Sequence, residues 1–404
     1  MKKLVFSLGT GCLLLFGLFS CKNSNLDLDE TLKFSKLSVE EQKSKIEDNG
    51  VDFINAVDGI QETAAFTAMM NFTANTGGAS YVAPFKQLTK DIQNHNESRL
   101  LVNFDKQLRA ASVESNFWGE YEWDASEERF IQTGELTNKA IYKFPATENS
   151  TTNNGELTVT YTESSVSIPD EEDNYPSKIT CVIKVSGDKV LESEFSGSYY
   201  DNGSPKNLKM TLDIDSYSWK AEIKNNEKDA SESYEFKKGS KTLMKIEASA
   251  KGNLSADVIE KAEYVDDFLS KGAVYFQVMD VAVLGGMKDV EGFVNEMNDV
   301  DNDSKTGEQD EVDIINKYMI CYGYYVDDNR KFADVEFYLK EYQDEYYAYN
   351  YESGEYELYA ETYYVMAPRF VLSDGSKVAV EEYIQSGFED LVELINGYQE
   401  EYNQ

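Results

Sequence analysis

From Trp118 to about residue 252 the sequence alternates apolar and polar residues with a period of two, interrupted only by short polar turns. Residues 157–168 and 178–186 flank an acidic, proline-bearing loop. Gly187-Asp188 then leads into 190–200, where Leu191, Ser193 and Phe195 share one face. Asp201-Asn202-Gly203-Ser204-Pro205 leads into 208–224, Asn225-Asn226 into 231–236, and Lys238-Gly239 into 242–249. A period of two sends successive side chains to opposite faces, and turns this short can join only antiparallel neighbours. The segment is therefore held to an antiparallel meander, without the strand-then-helix rhythm of a parallel sheet.

Both flanks of the meander read as helical. Ser38 and Glu41 form a capping box, and Ile46, Phe53, Val57, Ile60, Ala64, Ala68 and Phe72 recur behind it at helical spacing, with Gly50 a candidate break. Gly77-Gly78 ends this stripe. A second follows through Phe85, Leu88 and Ile92, then Leu101, Phe104, Leu108 and Ala111. Beyond Asn253 the spacing predicts a helix near 258–269, a strand over 274–284, two short helices over 290–297 and 312–318, and four strands between 319 and 372. A closing helix is predicted over about 380–398. The fold class expected is α+β: a large antiparallel β-meander sheet with helices from both chain ends packed on one face. A subdivision near residue 253 would separate a helical hairpin plus meander (37–252) from a mixed, tyrosine-rich part (253–404).

The amino terminus carries an address. Lys2 and Lys3 precede an apolar stretch over 4–19 that is interrupted by Gly9, Gly11 and Gly17 and is too short to span a bilayer. It ends Leu18-Phe19-Ser20-Cys21, which resembles the lipobox of bacterial lipoproteins. The resemblance implies a signal peptide over 1–20, lipidation of Cys21, and a lipidated polar tether over 21–36 holding a body over 37–404. Several acyl chains at about 0.8 kcal/mol per buried methylene anchor a protein durably. Ser20 and the acids Asp27, Asp29 and Glu30 are similar to envelope lipoproteins of Bacteroidetes, as are Lys143-Phe144-Pro145 and Asp374-Gly375-Ser376-Lys377-Val378. This implies a location at the outer membrane, on its periplasmic face or at the cell surface. More distantly, the order of elements resembles the LolA/LolB type of curved sheet, which holds acyl chains.

Composition limits the chemistry. Asp and Glu number 74 against 38 Lys and Arg, for a net charge of −36. With no basic cluster, nucleic acid is excluded as a partner. The single histidine, His95, lies in a polar break and reads as a surface or capping residue. No nucleophile, base and orienter can be named together, so no enzymatic activity is expected. Cys181 and Cys321 lie in strand-like runs, either paired or buried as small apolar residues.

Two constellations stand out. Residues 299–310 place Asp299, Asp301, Asp303 and Asp310 at positions 1, 3, 5 and 12 of a loop that resembles an EF-hand, making Ca²⁺ the candidate cofactor. Ser304 replaces the turn glycine, and a solvated acidic loop is the plainer reading. The second is tyrosine: 14 of 28 lie between residues 318 and 364. In a hairpin turning at Ser353-Gly354, alternate rings would line one face, with Tyr346, Tyr347, Tyr349, Tyr351, Tyr356 and Tyr359 as candidate ligand contacts. Cross-strand packing beneath a helix is the structural alternative. The function expected is a non-catalytic cell-envelope lipoprotein binding an apolar or lipidated ligand on a curved sheet. The alternative is a surface glycan-binding lipoprotein using the tyrosine-rich strands.

Overall fold

A computed structural model describes residues 26, 28, 31–74, 83–93, 118–148, 150–168, 174–300, 305–350, 355–384 and 387–393. The lipobox cysteine Cys21, His95, Asp301, Asp303, Tyr351, the predicted turn at Ser353-Gly354 and the stripe from Leu101 to Ala111 lie outside these residues.

The fold is α+β, built on one 16-stranded sheet, almost entirely antiparallel. Strands β1 (Gly119–Asp124), β2 (Arg129–Gly134) and β3 (Lys139–Phe144) form its first edge, and β1 pairs with β3 in parallel. Every strand from β3 to β16 then pairs with its chain neighbour, antiparallel: β4 (Gly155–Ser167), β5 (Asn174–Val185), β6 (Asp188–Tyr199), β7 (Pro205–Ile214), β8 (Tyr217–Asn225), β9 (Asp229–Lys238) and β10 (Lys241–Gly252). The sheet continues without interruption through β11 (Leu269–Val278), β12 (Val281–Met287), β13 (Met319–Tyr325), β14 (Arg330–Asn350), β15 (Glu355–Val371) and β16 (Lys377–Ala379). Two of the predicted runs each divide into two strands. The run over 208–224 turns at Asp215, where φ is +49°, and the run over 274–284 turns at Met279, where φ is +52°. Between Met319 and Leu372 there are three long strands rather than four.

Helices from both flanks share one face. In α1 (Val39–Asp58) the Ser38 hydroxyl accepts from the Glu41 N–H at 3.3 Å, and the Glu41 carboxylate accepts from the Ser38 N–H at 2.8 Å. Gly50 does not break this helix; a Cβ there would meet Leu391 at 2.8 Å, so the glycine admits the C-terminal segment. Successive positions of α1 secure the hairpin tips beneath it. Asp52 pairs with Lys241 at 3.2 Å, Asn49 accepts from the Asp280 N–H at 2.9 Å, and Lys45 pairs with Asp327 at 2.9 Å. In α2 (Ala64–Ala74) Phe72 packs edge-on against Phe85 of α3 (Ala83–Gln93) and against Tyr142. Under them the core holds Trp219 stacked on Phe236, 4.6 Å between centroids. At the other flank Phe370 meets Tyr383 of α7 (Val380–Ile384) at 5.0 Å. Between β10 and β14 lie α4 (Ala256–Lys261), α5 (Val290–Asn298) and α6 (Lys305–Tyr318), the last packing on α5 and β14.

The opposite face from β3 to β10 is polar. Lys178 pairs with Glu194 at 2.8 Å, Lys237 with Glu235 at 2.8 Å, Lys245 with Glu247 at 3.1 Å, and Thr160 meets Thr180 across strands. Such pairs, across strands at Lys178–Glu194 and Thr160–Thr180 and along one strand at Lys237–Glu235 and Lys245–Glu247, let an antiparallel sheet face water on one side. At β11 this face turns apolar, with Ala273, Tyr275, Ala282, Leu284 and Tyr322 in one cluster. Leu26, Leu28 and Leu32 cover it, and the Ser35 N–H donates to the Lys331 carbonyl at 2.7 Å. The stretch expected as a free polar tether over 21–36 is thus docked at residues 26, 28 and 31–35, because its leucines fall where the sheet would otherwise expose an apolar patch. Cys181, buried on β5, and Cys321, on β13, are not joined in a disulfide. Burial pushes the Cys181 thiol far above the ordinary range.

Candidate functional site

β14 and β15, at 21 and 17 residues, outrun the sheet that carries them. β13 pairs with β14 only at Arg330–Asp334, and β16 with β15 only at Arg369–Val371. Where β13 falls away, Asn316 of α6 closes the edge. Its amide donates to the Phe337 carbonyl at 2.9 Å and accepts from the Phe337 N–H at 2.7 Å. Beyond this cap, among the described residues, the two strands pair only with each other, in unbroken register from Phe337 opposite Pro368 to Asn350 opposite Glu355. At about 3.3 Å per residue the arm reaches roughly 40 Å.

A two-stranded ribbon without a core is marginal in water and depends on its cross-strand pairs. Tyrosines supply them. Tyr342 stacks on Tyr363 with centroids 5.6 Å apart and 12° between planes, and Tyr346 on Tyr359 at 6.1 Å and 22°. On the other face Tyr349 meets Tyr356 edge-on at 5.4 Å. The first two pairs, with Tyr338, share one face and recur every four residues, about 13 Å apart. Tyr338 and Tyr342 at the base are half-buried, and the outer rings are exposed, from 38% at Tyr359 to 71% at Tyr347 and Tyr356. The rings are therefore not packed beneath a helix, because no described helix reaches past the base of the arm.

The candidates divide by parity. Tyr346 and Tyr359 lie on one face; Tyr347, Tyr349 and Tyr356 lie on the other. Sequence reasoning passed over Tyr338, Tyr342 and Tyr363, which continue the first face toward the sheet. Their signal was the four-residue spacing 338, 342, 346, which keeps parity in a strand. At the base, cations sit over these rings: Arg369 is 4.9 Å from the Tyr338 centroid and Lys340 is 5.0 Å from that of Tyr342. Arg369 also donates to Glu336 at 2.6 Å, and Lys340 pairs with Glu381. Hydrogen bonding to Glu381, then to Tyr342, raises the Lys340 pKa well beyond the usual lysine value.

Of the four acids of the candidate calcium loop, only Asp299 and Asp310 fall among the described residues. Asp299 is the C-cap of α5, and Asp310 lies inside α6, which begins at Lys305. Glu296 beside them is paired to Lys317 at 2.5 Å. No group of three or more described His, Cys, Asp or Glu residues is placed to hold a metal ion. No described helix is long and apolar enough to cross a membrane. Away from the arm, the exposed large apolar strand residues are Phe276 and Val283, opposite each other on the helix-covered face. No family model, curated protein or solved structure matches the chain.

Proposed function

We propose that the chain is a non-catalytic, lipid-anchored envelope protein of the outer membrane that presents β14–β15 as an arm for binding glycan chains. One observation carries this reading: paired tyrosine rings, half-buried at the base and exposed beyond it, stand along an arm on which no described core packs. A flat apolar ring with a polar tip suits the face of a sugar and its hydroxyls. The anchor rests on the motif Leu18-Phe19-Ser20-Cys21 behind its basic and apolar leader. The five residues from Cys21 to docked Leu26 extend at most about 18 Å, so the sheet would sit close over the bilayer. A glycan array probed with the purified protein in detergent tests the arm. Hits should appear with the wild type and vanish for Tyr346→Ala/Tyr359→Ala; hits that survive this change refute the assignment.

A second reading, an apolar or lipidated ligand on the sheet, is favoured by the exposed pair Phe276 and Val283. It predicts a bound lipid in native mass spectra of protein extracted from membranes. Elsewhere the described helix-covered face is filled by its own side chains, which leaves this reading the weaker.

A further inference from the structure

The arm repeats one arrangement along its tyrosine-stacked face and then omits one part of it. At the base, each unit has a ring, a carboxylate and a cation: Tyr338 with Glu336 and Arg369, then Tyr342 with Glu381 and Lys340. Outward of Lys340 the rings and carboxylates continue, but residues 341–368 contain no Lys, Arg or His and seven Asp or Glu. Asp344 lies directly opposite Glu361, both exposed, on the rung between Tyr342–Tyr363 and Tyr346–Tyr359. Like charges facing each other across strands work against the pairing that holds a ribbon together. A positive group on that rung would relieve this repulsion and lie between two pairs of tyrosine rings, where cation–π attraction adds to ion pairing.

Resting on the glycan reading, we propose that the arm's tyrosine-stacked face selects glycans carrying free, protonated amino groups, the amine taking the place at the Asp344–Glu361 rung that Lys340 and Arg369 hold at the base. Charge complementarity carries the choice. Acidic polysaccharides and anionic lipid surfaces are repelled by the same carboxylates, and a second copy of the arm would bring seven further acids against them. Stacked, flat rings repeating along one face of the ribbon favour a polysaccharide over a peptide, whose recognition on a strand edge draws on pockets for alternate side chains.

The test titrates the purified full chain with a β-1,4-glucosamine hexamer and with its fully N-acetylated counterpart. The titrations are run at about pH 5.5, where the amines are protonated and most carboxylates ionised. The free-amine hexamer should bind roughly tenfold more tightly, with the advantage shrinking as salt is added. Asp344→Asn/Glu361→Gln should abolish that advantage and leave the N-acetylated hexamer's affinity unchanged. Equal affinities for the two hexamers, or an advantage that survives the double substitution, overturn the inference while leaving a glycan-binding arm in place. Tighter binding of hexalysine than of the amino-glycan assigns the arm to basic peptides and overturns it as well. Failure of every glycan to bind overturns the arm reading itself.

Discussion

The ammonium of Lys331 lies 4.8 Å from the centroid of the Phe34 ring, joining the start of β14 to a segment that precedes the first helix. Its other side faces Tyr322 at 5.6 Å, and Asp334 pairs with it at 2.7 Å, so the nearly buried charge is neutralised where it stands. Backbone hydrogen bonds flank the contact. The Lys331 N–H donates to the Lys33 carbonyl at 3.0 Å and its carbonyl accepts from Ser35. The amino-terminal strap is thus a short parallel addition to the sheet with leucines over an apolar cluster.

Loosening that strap should leave the sheet folded. Leu28→Ala removes a side chain only 8% exposed and should cost about 1–2 kcal/mol. Leu28→Asp should release the strap, seen as faster amide exchange at residues 31–35 with unchanged exchange in β4–β9. Unchanged exchange at 31–35 would show that the leucines do not hold it.

The stack of Trp219 on Phe236 lies at the centre of the principal core, both rings 1% exposed or less. Trp219→Ala should cost about 3–5 kcal/mol and lower the denaturation midpoint without changing the slope of the transition. A cost below about 1 kcal/mol would mean that the helices do not pack on this face as described.

Glu232 sits between Ile223 and Ala248 on the helix-covered face, and burial pushes its carboxyl up to about 7. Because the folded value exceeds the unfolded one, the proton stabilises the fold at low pH. That stability is lost as pH rises from near 4.5 to near 7. Glu232→Gln should therefore be more stable than wild type at pH 8, by about 1–2 kcal/mol after allowing for its partial exposure, and nearly equal below pH 4.5. Urea denaturation of both proteins across this range measures the difference, and a constant difference would contradict the burial.

In the arm, Tyr342→Ala should weaken the ribbon near its base by about 0.5–1 kcal/mol, because it removes a stacked cross-strand partner. Amide exchange should rise in 338–350 and 355–367 while the thermal midpoint of the sheet stays put. A fall in that midpoint would make the arm part of the core.

The alternation of Leu191, Ser193 and Phe195 made the meander legible, since one face needed apolar residues and the other did not. The capping box at Ser38 was equally local. Strand ends at Asp215 and Met279 were not legible: methionine is not a usual turn former, and Asp215, though of a turn-forming type, has no glycine, proline or asparagine beside it to mark the turn in a chain where acids also fill the strands. Docking of Leu26 and Leu28 was hidden because their partners, Tyr275 and Leu284, lie more than two hundred residues away and show as an unsatisfied face only once the sheet is built. The tyrosines announced themselves by number, but whether they lay under a helix or in solvent depended on where β13 and β16 stop. No period in the sequence states that.

The most direct test shortens the arm. Joining Lys340 to Val365, which face each other across the ribbon, through an Asn-Gly turn removes every outer tyrosine and keeps the sheet's own pairings. The shortened protein should unfold at the wild-type temperature and lose all measurable binding to the glycans that the wild type retains. Full binding by the shortened protein would place the ligand elsewhere and contradict the account.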